Sequence, residues 1–331
     1  MRRLVALVAA LAAVLPGCGG SDADLVVYSG RNEALFKPIL DGFAKKTGLQ
    51  ISVRFGDTTD LAGTIVEEGE RPRADVFVGQ DAGALGSLAE RGLLEPYSSS
   101  ATEKVPAKYR AADNAWIGLS ARARVLIANT EQLEPDEYPT SVFELTDPKW
   151  RGKVAAPSVT NASWIGFISE MRIDKGDVFT RTWLEDMKAN DLAVLGSHTD
   201  VRNAVGSGEF EVGLVNHYYV ELEKREGSPV EAVFTDQGED GFGVVVNAAS
   251  GGILKNAENR DNAERLMDYL VSSEVQEEFA GLNYEYPVVP GIPAPGLMPL
   301  TEVKATDIPL ADLAPKLDST VAMLREVGLG E

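Results

Sequence analysis

The sequence is poor in the residues that build most covalent and metal-based sites. Its 331 residues include one cysteine and two histidines. One cysteine cannot close an intramolecular disulfide or supply a CxxC pair. Two histidines cannot furnish a three-histidine zinc site, and no HExxH occurs. Basic residues are outnumbered, with 31 Lys and Arg against 51 Asp and Glu and a formal charge of −20. A general nucleic-acid binder needs a basic face, so that class is excluded. Against these shortages, the 44% hydrophobic and 25% charged content is ordinary for a folded globular protein. At about 100–200 residues per domain, the length suggests two domains, each able to bury a core.

Long apolar runs are scarce as well. The one that stands out lies between Leu4 and Leu15, after Arg2 and Arg3. A helix of that length spans about 18 Å, short of a ~30 Å hydrocarbon core, so the run reads as a secretory signal and not a membrane anchor. It ends Leu15-Pro16-Gly17-Cys18, which resembles a bacterial lipoprotein signal. That resemblance implies removal of residues 1–17, lipidation of Cys18, and a tether over residues 18–24. Loss of Arg2 and Arg3 would leave 29 basic against 51 acidic residues, or −22. A plain signal peptide with an incidental cysteine is the alternative.

The body alternates between two periodicities. Short apolar runs at Leu25–Tyr28, Gln50–Phe55 and Asp75–Val78 predict strands. Between and after them, Glu33–Lys46, the stretch around Leu61–Val66, and Ala82–Arg91 carry helical stripes, with Gly48 and Gly92 placed as stops. Three β-α units predict a parallel sheet with helices on its faces, and ligands of such sheets sit beyond the carboxyl ends of the strands. A second series follows. Strands are expected at Val125–Ala128, Lys153–Ala156, Ala193–Leu195, Val212–Val215 and Gly243–Asn247. Helices are expected at Asn161–Arg172, Arg181–Lys188, near Asp200–Val205, over Asp261–Ala280 as one long element, and over Leu310–Val327. The fold class is therefore α/β, with two lobes and a cleft between them. The division places residues 25–122 plus about 245–300 in the first lobe and 123–244 plus about 301–331 in the second. Crossing strands are expected near Ser120–Arg124 and Gly243–Asn247.

Asn216-His217-Tyr218-Tyr219 directly follows one of the predicted strands. Adjacent tyrosines on a regular strand point to opposite faces, so both can address one ligand only if the chain turns there. A phenol is normally neutral, with a pKa near 10. A hard trivalent cation such as Fe3+ displaces that proton, and phenolate oxygen suits ferric iron better than it suits the soft metals that seek thiolate. Ordinary packing of two tyrosines is the competing reading. His217 is expected to pack away from any metal.

Six collinear segments resemble the periplasmic ferric-iron-binding proteins of ABC transporters. They are Val27-Tyr28-Ser29-Gly30-Arg31, Ala74-Asp75-Val76-Phe77, Leu119-Ser120-Ala121-Arg122-Ala123-Arg124-Val125, Thr160-Asn161-Ala162-Ser163, Gly213-Leu214-Val215-Asn216-His217-Tyr218-Tyr219 and Tyr284-Glu285-Tyr286-Pro287. The resemblance implies a type II periplasmic-binding-protein-like fold, each lobe a mixed, largely parallel sheet flanked by helices. It implies a non-enzymatic, exported protein, lipid-anchored or periplasmic, that works as a monomer. Such a protein captures Fe3+ with a synergistic carbonate or phosphate and delivers it to a permease and its ATPase. By position, Tyr218 and Tyr219 match the family's tyrosine ligands. Asn216 matches an anion-holding residue. Asn161, Ala162 and Ser163 match the anion loop, His198 a position that contacts the anion, and Arg122 an arginine near the cleft, with Arg31 and Arg124 as its neighbours. Where some members carry a histidine and a glutamate as further ligands, this chain has Asn32 and Gln80, which offer only amide oxygens. Trp164 stands near where other members place a third tyrosine. Asp57 and Asp81 fall at cleft-side ends of predicted elements, Asp81 most simply as a helix cap.

Two other functions compete. The same scaffold binds polyamines, thiamine and oxyanions in related proteins. An exported hydrolase is the reading from a different class, but no GxSxG or metal-hydrolase cluster supports it.

Overall fold

The structure, a computed structural model, describes residues 23–330. The proposed signal segment, Cys18 and most of the tether lie outside the described residues.

The chain opens with β1 (Leu25–Ser29), α1 (Glu33–Thr47), β2 (Ile51–Phe55), α2 (Thr58–Glu68), β3 (Val76–Gly79) and α3 (Ala82–Glu90). β1 pairs in parallel with β2 on one side and with β3 on the other, as the β-α-β spacing predicts. β1 is buried on nearly all its length, while the edge strand β2 alternates, so the hydrophobic pattern of each strand follows its place in the sheet. α1 starts where the Asn32 side chain accepts from the Ala34 N–H and ends at Gly48 in the left-handed conformation. Its Phe36, Ile39, Leu40 and Phe43 face the sheet. The short β4 (Leu94–Glu95) follows.

β5 (Ile117–Asn129) then runs for 13 residues, buried throughout. The expected strand Val125–Ala128 is only its second half. The chain continues through β6 (Val154–Pro157), α4 (Ala162–Lys175), α5 (Asp177–Ala189), β7 (Ala193–Leu195), α6 (His198–Gly206), β8 (Val212–Asn216), α7 (His217–Arg225) and β9 (Val230–Val233). It returns through β10 (Val246–Leu254), α8 (Arg260–Leu270), α9 (Ser273–Asn283), β11 (Tyr286–Pro287) and α10 (Leu317–Val327).

The main strand path is β2-β1-β3-β10-β5-β8-β6-β7. β5 is the element common to both halves. From Ile117 to Ala123 it pairs antiparallel with β10, and from Arg124 to Ala128 it pairs antiparallel with β8. One apolar core gathers around β1, β3 and the first part of β5, including Phe36, Phe77, Leu119 and Phe279. A second gathers around Leu126, Trp150, Trp164, Phe167 and Trp183. The architecture is a two-lobed, mixed α/β fold.

Three expectations need correction. The long helix over Asp261–Ala280 is two helices, α8 and α9. Ser272 leaves the helical region at φ −67°, ψ 152°, and its hydroxyl accepts from the Val275 N–H to start α9. The apolar stripe runs through the break, so periodicity alone hides it. The expected helix Leu310–Val327 begins as 3₁₀ turns over Leu310–Lys316. Pro315 lies there and lacks an N–H, and α-helix starts only at Leu317. The strand expected at Gly243–Asn247 starts its ladder at Val246 and extends to Leu254, Val244 making only an isolated bridge to Ala305.

Candidate metal centre

Asn216 ends β8 and His217 begins α7, so the chain turns directly before the tyrosine pair. On the first helical turn both phenols lie on one side, their ring centroids 4.4 Å apart and tilted by 33°. Both are buried. Burial, and secondarily the neighbouring Tyr218, push the Tyr219 phenol well above its ordinary pKa, although Arg31 pulls the other way. From the opposite half, the residue after β3 reaches across: Gln80 Nε2 donates to the Tyr218 hydroxyl at 2.7 Å. The Gln80 amide oxygen is buried without a hydrogen-bond partner.

Beside the phenols stands a row of cationic groups. Ser120, Arg122 and Arg124 alternate on β5 and share a face. Arg31, from the loop after β1, joins them. Its Nη1 donates to Ser120 Oγ at 3.1 Å and its Nη2 to Glu285 Oε2 at 2.6 Å. Burial opposes the Arg31 charge most strongly, but Glu285 together with Tyr218 and Tyr219 outweighs it and holds the pKa above the usual value. Arg122 is 1% exposed, and none of its three guanidinium nitrogens has a hydrogen-bond partner. Its nearest acid, Asp81, is 3.9 Å away. Burial lowers its pKa against the attraction of Asp81. Burial and then the Arg122 charge bring Arg124 down to about 9, so it stays cationic at neutral pH. Arg124 Nη1 lies 3.3 Å from His198 Nε2, while Nε and Nη2 have no partner. Burial, then Arg124 and Arg122, hold His198 well below the usual imidazole range, so the neutral ring can accept from Arg124.

Two helix starts point at this row. Asn161 caps α4, its Oδ1 accepting from the Trp164 N–H at 3.1 Å. Ser163, in the first turn, accepts from Asn216 Nδ2 at 3.4 Å. His198 is the first residue of α6, whose cap is Ser197. Free N–H groups and the helix dipole favour an anion at such ends. The cleft between these parts encloses about 220 Å³ and is lined by residues that include Arg31, Gln80, Asn161, Ala162, His198 and Tyr219.

The structure thus brings Tyr218, Tyr219, Gln80, Arg31, Arg122, Arg124, His198, Asn216 and Asn161–Ser163 to one region. Asn32 sits on the exposed rim with its amide oxygen already engaged as the α1 cap. Asp57 stands at the start of α2 with no capping hydrogen bond, its pKa raised by burial and then by Asp60. Asp81 caps α3 through Gly83 N–H at 2.7 Å, and its other oxygen accepts from Asn247 Nδ2 at 2.5 Å. Burial carries its pKa up to about 6 despite Arg122. Trp164 packs with Phe167 and Trp183 in the second core. His217 turns away from the phenolic oxygens and stacks on Tyr286 at 4.4 Å.

Sequence reasoning missed the role of Glu285, although it lies in one of the quoted segments. This carboxylate is fully buried and neutralises Arg31 across 254 residues of chain. Nothing local marks it except its place between Tyr284 and Tyr286. Asn247 and Glu170, both buried beside the arginines, were missed for the same reason. Among the described residues no group of three or more His, Cys, Asp or Glu side chains is arranged to hold a metal. A hard cation here would rely on phenolate oxygen and an anion. The orphaned guanidinium donors fit such an anion, since a buried charge without a partner is costly.

Two lobes and a cleft between them define an extracytoplasmic solute-binding protein of the type II architecture, a class of transport proteins and not enzymes. The chain belongs to the bacterial extracellular solute-binding protein family, whose model matches residues 71–306. It is 30% identical over 332 residues to the Fe(3+)-binding periplasmic protein of Serratia marcescens, covering 98% of this chain and 97% of that one. It superposes on iron-bound HitA from Pseudomonas aeruginosa with a TM-score of 0.86 at 28% identity, covering 92% of this chain and 99% of that structure. The Trichodesmium FutA structure in complex with iron and citrate matches with a TM-score of 0.76 at 31% identity, over 92% of this chain and 99% of its own. No helix of the described residues is long and apolar enough to cross a membrane.

Proposed function

We propose that this protein captures ferric iron together with a synergistic anion, carbonate or phosphate, in the cleft and delivers it to an ABC permease driven by its ATPase. The observation that carries the reading is the buried Tyr218–Tyr219 pair set beside Arg122, whose guanidinium nitrogens have no hydrogen-bond partner, and Arg124, whose Nε and Nη2 have none. Two phenolates cancel two of the three ferric charges. The anion completes the oxygen donors and is itself neutralised by the arginines, since the Arg fork matches planar oxyanions. Arg31 contributes less free charge because Glu285 already pairs with it. Asn161, Ala162, Ser163, His198 and Asn216 orient the anion, and Gln80 bears on the metal side from the other lobe. The names of the relatives support iron as the cargo. Cys18 is the proposed lipid anchor on the outer face of the membrane. Lobe boundaries near residues 122 and 245 leave β5 and the strand entering β10 as the crossing segments about which the lobes close.

The test is optical. Purified protein given ferric salt with bicarbonate or phosphate should develop a visible phenolate-to-iron charge-transfer band. Tyr218→Phe combined with Tyr219→Phe should abolish it and lower ferric affinity by several orders of magnitude. A colourless wild type, or an unchanged band in the double variant, rejects the iron reading. A thermal-shift panel with polyamines, thiamine and oxyanions alone then identifies which other solute the scaffold takes.

A further inference from the structure

His217 directly precedes the tyrosine pair yet faces neither the cleft nor solvent. Its Nδ1 accepts a hydrogen bond from the Ala123 backbone N–H at 3.2 Å. Ala123 occupies a special place on β5. On one edge of the strand the Arg124 N–H donates to Val245 O, so by strand alternation the Ala123 N–H points to the opposite edge. On that edge β11 pairs with Ser120 and Ala121, and β8 pairs from Arg124 onward. The Ala123 N–H therefore opens into the gap between two neighbouring strands, at the point where β5 passes from one sheet to the other. A buried N–H there would be orphaned without a side chain to accept it. The imidazole fills the gap. It stacks on Tyr286 of β11 at 4.4 Å and meets the Tyr218 ring edge-on at 5.9 Å.

We propose that His217 is a positioning residue that ties the point where the lobe-crossing strand changes partners to the start of α7, which bears the tyrosine pair. Rotation of the lobes about β5 turns the Ala123 N–H, the N–H carries the imidazole, and the imidazole carries the first turn of α7 with both phenols. The inference rests on the reading that Tyr218 and Tyr219 hold the cargo, but the hinge contact itself does not. The acceptor geometry belongs to Nδ1, and an asparagine oxygen reaches nearly the same point from the same Cβ. A phenylalanine fills the stacking space without accepting.

His217→Phe and His217→Asn separate the two roles. In ligand-free protein, amide hydrogen exchange at Ala123 should be about tenfold faster in His217→Phe than in wild type, the loss expected when a buried donor is left unpaired. His217→Asn should restore most of the protection. With ferric salt and bicarbonate, His217→Phe should bind about tenfold more weakly, with a shifted charge-transfer band, and His217→Asn should stay near wild type in both. Wild-type exchange, band and affinity in His217→Phe overturn the proposal. So does an asparagine variant that behaves like the phenylalanine one, since packing and not the acceptor would then be at work. If wild type itself gives no iron band, the iron reading fails and the amide comparison alone decides this one. Should His217→Phe not fold, His217→Asn against His217→Gln makes the same comparison, because a glutamine oxygen lies one bond beyond the Nδ1 position.

Discussion

Single residues in this protein are governed by burial more than by sequence neighbours. Glu170 is the clearest case. It is fully buried on α4, its Oε2 accepts from Thr306 Oγ1 at 2.7 Å, and its Oε1 has no partner. Burial pushes its pKa up to about 8, with the Thr306 hydrogen bond opposing, Asp81 adding to the rise and Arg124 opposing it. The folded chain therefore holds this proton up to about pH 8, while the unfolded chain releases it in the ordinary carboxylate range near 4.5. Between those values the folded state binds one more proton than the unfolded state, so this group's contribution to stability is full at low pH and is lost as the pH rises. Glu170→Gln mimics the protonated form. Denaturant midpoints should be nearly equal for variant and wild type at pH 4.5. They should diverge in favour of the variant by pH 8.5. A constant difference across that range would show that Glu170 is ionised in the fold.

At the level of elements, the sequence revealed order better than boundaries. The β1–α1–β2–α2–β3–α3 succession was legible because each strand is a short apolar run and each helix a stripe with a stop. The break between α8 and α9 was not, because Ser272 interrupts the backbone without interrupting the stripe. The site divides the same way. Tyr218, Tyr219 and the β5 arginines stood out locally or by resemblance, whereas Glu285 and the His217–Ala123 contact depend on partners 165 and 94 residues away. Gly166, inside α4, belongs with these hidden features. Alanine is the better helix former by about 1 kcal/mol, so local propensity disfavours glycine there. A Cβ at 166 would stand 2.6 Å from Asp81 Oδ2 and 3.0 Å from Asn247 Nδ2. The missing side chain is what lets the cap of α3 seat against α4. Gly166→Ala should keep or raise the thermal midpoint if α3 can back away, yet weaken ligand binding about tenfold, the effect of overpacking a contact made on closure by about 1–3 kcal/mol. Titration calorimetry beside thermal unfolding checks this, and equal affinity would show that the contact is indifferent to closure.

For the whole molecule, the question is what holds the two halves together before cargo arrives. Across the cleft, one direct hydrogen bond joins Gln80, after β3, to Tyr218 on α7. The contact is made by an uncharged side-chain amide to the Tyr218 hydroxyl. Such a bond is worth about 1 kcal/mol net, which shifts a two-state open–closed ratio about fivefold. It also competes with the cargo, because a metal that takes the Tyr218 oxygen must keep or displace the amide. Gln80→Ala should therefore move the ligand-free protein toward the open form, seen as a larger radius of gyration by small-angle scattering. Saturating ferric iron and bicarbonate should bring variant and wild type to the same compact value, since the cargo then bridges the lobes by itself. Gln80→Glu should behave differently. A carboxylate beside Tyr218 adds a charged oxygen donor, so ferric affinity should rise and its dependence on added bicarbonate should fall. If Gln80→Ala leaves the ligand-free radius unchanged, the amide is not what favours closure. The burden then passes to the close seat of Asp81 and Asn247, from the first lobe, against Gly166 of α4 in the second.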